Sequence, residues 1–184
     1  MSKFKIHTIE SAPEASKVLL AGVQKKNGMI ANALGVMAEA PGLLEGYMQL
    51  NRLFEESSFN AEEITVVWQS LNVEHDCHYC VPAHTAVAYM MKVDGALIEA
   101  LRNQQPMPTK KLQVLQDTTL SMARKRGRLS EAEKEAFYAA GYTKRQLLEI
   151  VLGLSQKIMS NYTNHIAETP LDKAFEQFAW KKKL

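Results

Sequence analysis

The chain has 184 residues, of which 46% are hydrophobic and 23% are charged, so it has the length and composition of a folded domain with a substantial core. This composition excludes a disordered chain, and a net charge of +2 is too small to favour a surface for nucleic acid. No apolar run approaches the roughly 18 residues of a membrane span, and no signal peptide is visible. We therefore expect a protein of the reducing cytoplasm, with no nucleic-acid partner and no membrane partner.

Start and stop signals predict one helix after another in the first part of the chain. Ser11 is a candidate N-cap of the first helix, and Gly28 ends that helix. A second helix over about 29–39 stops before Pro41, after which a third helix runs to about Glu56.

Residues 64–68 could form a strand by composition alone because they are rich in β-branched side chains. The apolar positions of this segment nevertheless continue to Leu71 with helical spacing rather than strict alternation. Asn60 followed by Glu63 is a capping-box pattern, in which each residue caps the backbone of the other. We therefore predict a helix over about 61–74.

Further helices are predicted beyond this point. A helix that carries the cysteine segment ends near Gly95, and Thr143 with Gln146 opens a last long helix of about twenty residues. Between the two we predict helices over about 95–103, 109–127 and 131–140, and a short final helix follows Pro170. The last long helix carries an apolar stripe that suits the centre of a core, namely Leu147, Ile150, Val151, Leu154 and Ile158.

Hairpins have no support in the sequence, because no Asn-Gly or Asp-Gly turn joins two alternating runs. No low-complexity linker divides the chain. The fold class predicted from these patterns is all-α, with a single domain over residues 1–184.

The two cysteines of the chain, Cys77 and Cys80, lie in one segment. A disulfide between them would close a loop of two residues and would restrain almost none of the unfolded chain. This excludes a secreted disulfide scaffold. Any role of these cysteines is therefore chemical rather than structural.

Pro82 places the cysteines near a helix N-terminus. Proline is tolerated in the first turn of a helix, so we predict that regular helix starts close to Tyr79 or Cys80, with Asp76 or a neighbour in the capping region. Free backbone N–H groups and the helix dipole stabilise negative charge at this end. The pKa of a thiol placed there is lowered, and the thiolate is the nucleophilic form.

His84 follows Cys80 by four residues, so the two side chains are neighbours on one helix face. A base within reach of a thiol can activate it as a nucleophile. Cys77 lies one turn earlier, where it can close a redox-active disulfide with an oxidised Cys80. The pattern predicts a dithiol in which Cys80 attacks, Cys77 resolves and His84 manages the proton.

Two other interpretations of the segment stay open. A CxxC pair is often half of a zinc site, but Cys77, Cys80 and His84 or His78 give at most three local ligands where zinc needs four. The cysteines could also be an inert buried pair. Covalent haem attachment is excluded because Val81, not histidine, follows the second cysteine. We predict no metal and no cofactor.

The remaining histidines give weaker signals. His75 and His78 are expected at the surface near the cysteines. His165 is either a structural hydrogen-bonding residue or part of the wall of the site.

Several segments carry a resemblance to a known family. Residues 63–85 resemble the AhpD-like alkylhydroperoxidase branch of the carboxymuconolactone decarboxylase family, through Glu63-Ile64-Thr65-Val66-Val67 and above all through Cys77-x-Tyr79-Cys80-x3-His84-Thr85. Two later segments are similar to peroxidase-related members, namely Ala139-Ala140-Gly141-Tyr142 and Asn161-Tyr162-x2-His165. Together these segments span roughly residues 40–170.

The resemblance implies an AhpD-like helical bundle that assembles as a homo-oligomer, either a trimer or a hexamer. It implies hydroperoxide reduction by the CxxC pair, with Cys80 as the peroxidatic thiol and Cys77 as the resolving thiol. His84 would belong to a proton relay with a glutamate of the preceding helix, for which Glu63 is the first candidate and Glu74 a rival. An external dithiol or lipoyl-type reductant would reopen the disulfide.

Side chains close to this pair are expected to line the site, namely Glu74, His78, Tyr79 and His165. Two alternative functions remain. One is a non-redox enzyme similar to carboxymuconolactone decarboxylases, although those members generally lack the cysteine pair. The other is a redox-sensing or metal-binding module without turnover.

Overall fold

The computed structural model describes residues 4–182, which form nine α-helices and one 3-10 helix. In chain order they are α1 (Glu14–Asn27), α2 (Asn32–Met37), α3 (Pro41–Glu55), α4 (Ala61–Glu74), α5 (Cys80–Met90), α6 (Gly95–Arg102), α7 (Lys110–Arg124), α8 (Glu131–Ala139), α9 (Lys144–Ala167) and the 3-10 helix Lys173–Phe178. No strand occurs in this part of the chain, so the predicted all-α fold is confirmed. No helix within residues 4–182 is long and apolar enough to cross a membrane.

Helix α4 runs through the centre of the molecule. Every residue from Glu63 to Val73 is buried, and the helix packs against α5, α6, α7 and α9. A helix that is buried all round needs apolar side chains on most faces, which explains why residues 64–68 also suit a buried strand. The predicted capping box is confirmed, since Asn60 Oδ1 accepts the N–H of Glu63 at 3.0 Å and the Glu63 carboxylate accepts the N–H of Asn60 at 3.1 Å.

Most helix boundaries agree with the signals in the sequence. The side chains of Thr109, Ser130 and Thr143 cap the first turns of α7, α8 and α9 as predicted. Gly28 and Gly141 adopt left-handed conformations after α1 and α8, with φ of 75° and 92°. Left-handed residues of this kind commonly end helices because glycine adopts positive φ without strain.

Some predicted boundaries near the N-terminus are wrong. The first helix begins at Glu14, and Ser11 does not cap it, because its hydroxyl oxygen instead accepts the N–H of Thr8 at 3.0 Å. The second helix is confined to Asn32–Met37. As predicted, α2 ends before Pro41, which is the first residue of α3 because proline fits the first turn of a helix.

The predicted core stripe on α9 is also wrong in part. Ile150 is fully buried, but Val151 is 45% exposed and Ile158 is 37% exposed. The buried side of the second half of α9 is instead polar and consists of Gln156, Lys157, Ser160, Asn161 and Asn164. This polar face packs against α4 and α5, so it is the face that builds the candidate site.

Gly153 lies where α9 crosses two buried side chains. A Cβ at this position would lie 2.8 Å from Phe54 Cε2 and 3.0 Å from Val67 Cγ1. Gly153→Ala is therefore expected to lower the free energy of unfolding by about 1–3 kcal/mol, because neither neighbour can move without disturbing the core. Gly22→Ala in α1 meets nothing within 4 Å and should raise that free energy by about 0.5–1 kcal/mol. Urea denaturation measures both, and wild-type stability in Gly153→Ala would contradict the close packing.

Candidate functional site

A left-handed residue turns the chain from the end of α4 into α5. Asp76 has a φ of 52°, and the N–H of Cys77 donates to the carbonyl of Asn72 at 3.0 Å. Helix α5 then begins at Cys80, as predicted, but the N-cap residue Tyr79 makes no side-chain capping bond. Cys77 Sγ accepts the N–H of Cys80 at 3.3 Å instead, so this sulfur occupies the position of the helix cap.

The two cysteines are free and buried, and their pKa values are shifted in opposite directions. Burial alone would raise the pKa of Cys80, but a hydrogen bond from Cys77 and the positive charge of Lys157 outweigh it. The side chains of Asn164 and Asn161 act in the same direction, and together these groups lower the pKa of Cys80 to about 5. The hydrogen bond to Cys80 and burial both raise the pKa of Cys77. At neutral pH the pair therefore holds one proton, which stays on Cys77.

Helix α9 supplies the amides that surround the Cys80 thiolate. Asn164 Nδ2 donates to Cys80 Sγ at 3.2 Å. Asn161 is held in place from two sides, because its amide donates to Asn72 Oδ1 at 3.0 Å and its oxygen accepts from His75 Nδ1 at 2.8 Å. These hydrogen bonds join the polar face of α9 to the C-terminal end of α4. The thiolate therefore lies among fixed dipoles rather than water.

Lys157 is a fully buried lysine that sequence analysis missed. Its Nζ lies 2.7 Å from His84 Nε2, so the amine donates a hydrogen bond to the imidazole. Burial and the charge of Lys157 lower the pKa of His84 well below its usual range. Burial also lowers the pKa of Lys157, and the negative charge of Cys80 opposes this effect. The attraction between Lys157 and a Cys80 thiolate acts in both directions, since each group favours the charged form of the other.

His84 takes a different position from the one predicted. Its hydrogen bond goes to Lys157, and no hydrogen bond within residues 4–182 joins its ring to Cys80. The ring of Trp68 packs edge-on against it at 4.7 Å between centroids, and His84 Nδ1 is buried without a hydrogen-bond partner among the described residues. The imidazole thus influences the thiolate through Lys157.

The structure does not bring the two candidate glutamates to the cysteines. Glu63 caps the opposite end of α4, and its carboxylate pairs with Lys111 Nζ at 2.8 Å. Glu74 forms two hydrogen bonds with the Arg124 guanidinium at 2.7 and 2.6 Å, which lower the pKa of Glu74. Both carboxylates are held in structural ion pairs. Among the described residues, neither carboxylate forms a hydrogen bond or an ion pair with Cys77, Cys80 or His84.

The predicted neighbouring histidines face outward. His78 is exposed, and its Nε2 donates to the carbonyl of Thr169 at 3.0 Å. His165 is also exposed, on the outer side of α9. The residues of that segment that reach the site are Asn161 and Asn164, one helical turn apart. Burial and the charge of Cys80 raise the pKa of Tyr47, a residue of α3.

The segment 169–178, called the C-terminal strap below, covers the cysteines. Its side chains Leu171 and Phe175 pack in one apolar cluster with Cys77 and Cys80. Cys77 has no exposed surface, and Cys80 is 3% exposed. A substrate can therefore reach either sulfur only after neighbouring side chains have moved, and those of the C-terminal strap are among them.

Tyr79, predicted as a site neighbour, anchors the C-terminal strap. The Tyr79 hydroxyl donates to Asp172 Oδ2 at 2.5 Å, and Asp172 Oδ1 accepts the N–H of Asn32 at 3.1 Å. The Asn32 side chain also donates to the carbonyl of Pro170 at 3.0 Å. One carboxylate therefore ties the strap to both α5 and the start of α2.

Asp172→Ala is expected to raise the rate at which an aromatic disulfide reagent labels the thiols by about tenfold or more. The variant removes hydrogen bonds to a charged group, each of which contributes about 1.5 kcal/mol or more. Asp94→Ala is the matched control, because Asp94 caps α6 by accepting the N–H of Ala96 at 2.9 Å and its loss should leave labelling unchanged. Equal labelling of Asp172→Ala and wild type would contradict the strap as the cover of the site.

The site can supply three chemical functions. It holds one nucleophilic sulfur, a second sulfur within reach for a disulfide, and an amine–imidazole pair with a proton to give. Among residues 4–182, no group of three or more His, Cys, Asp or Glu side chains is arranged to hold a metal ion.

Comparisons with known proteins bear on the fold. No protein-family model and no curated protein matches the chain. An uncharacterised peroxidase-related protein from Ralstonia eutropha JMP134, with an alkylhydroperoxidase AhpD core, matches with a TM-score of 0.81 and 16% identity over 95% of this chain and 94% of that chain. A peroxidase-related protein from Silicibacter sp. TM1040 matches with a TM-score of 0.79 and 20% identity, over 95% of each chain.

A third similar structure is the debrominase Bmp8 in complex with 2,3,4-tribromopyrrole. It matches with a TM-score of 0.74 and 14% identity, over 96% of this chain and 95% of that chain. These likenesses confirm that the chain has the AhpD-like fold implied by its CxxC segment.

Proposed function

We propose that this chain is a thiol-dependent hydroperoxide reductase, with Cys80 as the attacking thiolate and Cys77 as the resolving thiol. The observation that carries the proposal is the placement of two adjacent sulfurs, since Cys80 Sγ accepts from Asn164 Nδ2 at 3.2 Å and Cys77 Sγ accepts the N–H of Cys80 at 3.3 Å. These surroundings are accompanied by opposite shifts, with the pKa of Cys80 lowered to about 5 and that of Cys77 raised. The fold shared with proteins named peroxidase-related supports it.

In the first step the Cys80 thiolate attacks the distal oxygen of the hydroperoxide. A sulfur–oxygen bond forms, the oxygen–oxygen bond breaks, and Cys80 becomes a sulfenic acid while the rest of the substrate leaves as an alkoxide. The Lys157 ammonium gives the alkoxide a proton, which releases an alcohol. The neutral His84 ring, which accepts a hydrogen bond from Lys157 at 2.7 Å, keeps the amine oriented during this transfer.

In the second step Cys77 attacks the sulfenic sulfur of Cys80. The disulfide forms, the sulfur–oxygen bond breaks, and the hydroxyl leaves as water with the proton that Cys77 carried. An external dithiol or lipoyl-type reductant of a reducing cytoplasm then supplies two electrons and two protons. One proton returns to Cys77 and the other to Lys157, which restores the starting charges.

Steady-state consumption of an organic hydroperoxide tests the proposal. Wild-type protein is expected to turn over with dithiothreitol or dihydrolipoamide as the dithiol, and a variant with serine at both cysteines is expected to show no turnover. A brominated pyrrole serves as the comparison substrate because one structural neighbour is a debrominase. Debromination without hydroperoxide reduction would contradict the proposal.

The same assay separates the alternative functions. Activity that survives in the variant lacking both cysteines would favour a non-redox enzyme similar to carboxymuconolactone decarboxylases. Oxidation of the thiols without turnover would favour a redox-sensing module, and stoichiometric zinc in the purified protein would favour a metal-binding module.

A further inference from the structure

The two residues between the cysteines hold the C-terminal strap in place. His78 Nε2 donates to the carbonyl of Thr169 at 3.0 Å, and the Tyr79 hydroxyl donates to Asp172 Oδ2 at 2.5 Å. The two cysteines pack in one apolar cluster with further side chains of the strap. Each of the four residues of the CxxC loop, 77–80, therefore either bonds to the strap or shares its apolar cluster.

Tyr79 makes two different contacts with the strap. It is 3% exposed and Asp172 is 8% exposed, so water hardly competes for the hydrogen bond between them. Loss of a hydrogen bond to a charged acceptor changes an equilibrium by about tenfold or more. The Tyr79 ring also lies edge-on to Phe175, with 6.4 Å between the ring centroids. The position of this one side chain therefore decides both a polar and an aromatic contact of the strap.

The closed arrangement of the strap belongs to a CxxC loop without a disulfide. Cys77 Sγ accepts the N–H of Cys80 at 3.3 Å and so occupies the cap position of α5. A disulfide has a specific geometry, and between these cysteines it closes a covalent ring that contains the backbone of His78 and Tyr79. Ring closure therefore acts on the backbone torsions of these two residues. Because the Tyr79 hydroxyl lies at the far end of its side chain, a backbone rotation of about 20° displaces it by about 2 Å, which is more than a hydrogen bond tolerates.

We propose that formation of the disulfide between Cys77 and Cys80 releases the C-terminal strap, so that the strap is closed over the dithiol and open over the disulfide. The inference rests on the disulfide step of the proposed function, and it adds a conformational change to that step. His78 and Tyr79, the two residues inside the ring, transmit the change through their hydrogen bonds to the strap.

Release at this stage suits the reaction that follows. A disulfide is reduced when an external thiolate attacks one of its sulfurs, so the reductant must make direct contact with the pair. In the closed arrangement Cys77 has no exposed surface and Cys80 is 3% exposed, which leaves no room for such a contact. An opening that depends on oxidation presents the pair to the reductant only when there is a disulfide to reduce.

Hydrogen exchange, followed by mass spectrometry in the reduced and in the oxidised protein, tests the release. Diamide, a diazene, serves as the oxidant. Its N=N bond takes two electrons from the sulfurs and becomes a hydrazine, with one proton from Cys77 and one from water, while the bond between the sulfurs forms. The amides of residues 169–178 are expected to exchange about tenfold faster or more in the oxidised protein. Peptides from α8, which packs against α7, are the internal control and should exchange equally in both states.

Two variants connect the release to the covalent ring. Cys80→Ser cannot form the disulfide, so diamide should leave the exchange of its strap unchanged. Tyr79→Phe keeps both cysteines but lacks the hydrogen bond to Asp172, so its strap should exchange faster than that of the wild type already in the reduced state, and oxidation should add less. Tyr142→Phe is the matched control, because the Tyr142 hydroxyl donates to the carbonyl of Lys111 and not to the strap.

The outcomes separate this inference from the proposed function. Equal exchange of residues 169–178 in both states, after a thiol count on the denatured protein has shown the disulfide, would overturn the release and leave the proposed function standing. A pair that keeps two free thiols after prolonged treatment with diamide and with an organic hydroperoxide would overturn both. An undiminished effect of oxidation in Tyr79→Phe would overturn the role of Tyr79 as the link to the strap.

Discussion

Cys80→Ser is expected to abolish hydroperoxide turnover, a loss on the order of a thousandfold or more, while Cys77→Ser still completes one half-reaction. Serine at position 80 removes the only thiolate that the site stabilises at neutral pH. Serine at position 77 keeps a hydroxyl that can still donate to the Cys80 thiolate, but it cannot form a disulfide. Rapid mixing with one equivalent of hydroperoxide should therefore leave Cys77→Ser as a sulfenic acid that dimedone traps at Cys80.

The same experiment decides which sulfur attacks. The backbone N–H of Cys80 donates to Cys77 Sγ at 3.3 Å, and taken alone this contact favours a thiolate at Cys77. Lys157 and Asn164 favour a thiolate at Cys80 instead. Full turnover in Cys80→Ser, or dimedone found on Cys77, would show that the backbone donor outweighs the α9 side chains.

Lys157→Met is expected to produce the second large effect, because methionine keeps much of the side-chain length and removes the charge. Without that charge the pKa of Cys80 rises towards the ordinary thiol value of about 8.5. The thiolate fraction at pH 7 then falls, by about thirtyfold at most if the pKa reaches that value, and the rate of the first step falls with it. The wild-type rate should be constant above about pH 6, whereas the variant rate should rise with pH through the ordinary thiol range.

Two controls separate this electrostatic effect from damage to the fold. Removing one partner of a buried charge pair is destabilising unless the other partner takes up a proton, so the free energy of unfolding of Lys157→Met is measured beside the rate, and rates are compared where the variant is fully folded. Lys111→Met removes a lysine that pairs with Glu63 at the far end of α4, and it should leave the pH profile unchanged. A wild-type pH profile in Lys157→Met would contradict the role of its charge.

Much of the fold follows from local signals in the sequence. The capping pairs that open α4, α8 and α9 each join residues within four positions of one another. Pro82 acts over an equally short range, because it fits only the first turn of a helix and so indicates that α5 starts near Cys80. Glu63 shows the limit of such signals. Its capping role is visible in the sequence because it follows Asn60 by three residues. Its spatial distance from the cysteines depends instead on how α4 packs against the other helices.

The site was harder to predict because its polar half comes from α9. Periodicity shows that α9 has an apolar face and a polar face, but it does not show which face turns inward. Lysine is almost never fully buried, so Lys157 gave no signal until its place opposite His84 was known. His165 belongs to the right segment, but the helical turn directs Asn161 and Asn164 to the thiolate instead.

The ultraviolet absorbance of thiolates in the reduced protein, followed against pH, tests the charge separation most directly because it needs no reagent to pass the C-terminal strap. One thiolate per chain is expected to appear with a midpoint near pH 5, and Cys80→Ser should lack this transition. The second thiol should stay protonated beyond the ordinary thiol range, because the pKa of Cys77 is raised. A wild type without thiolate below about pH 8, or a thiolate at neutral pH in Cys80→Ser, would contradict Cys80 as the ionised sulfur.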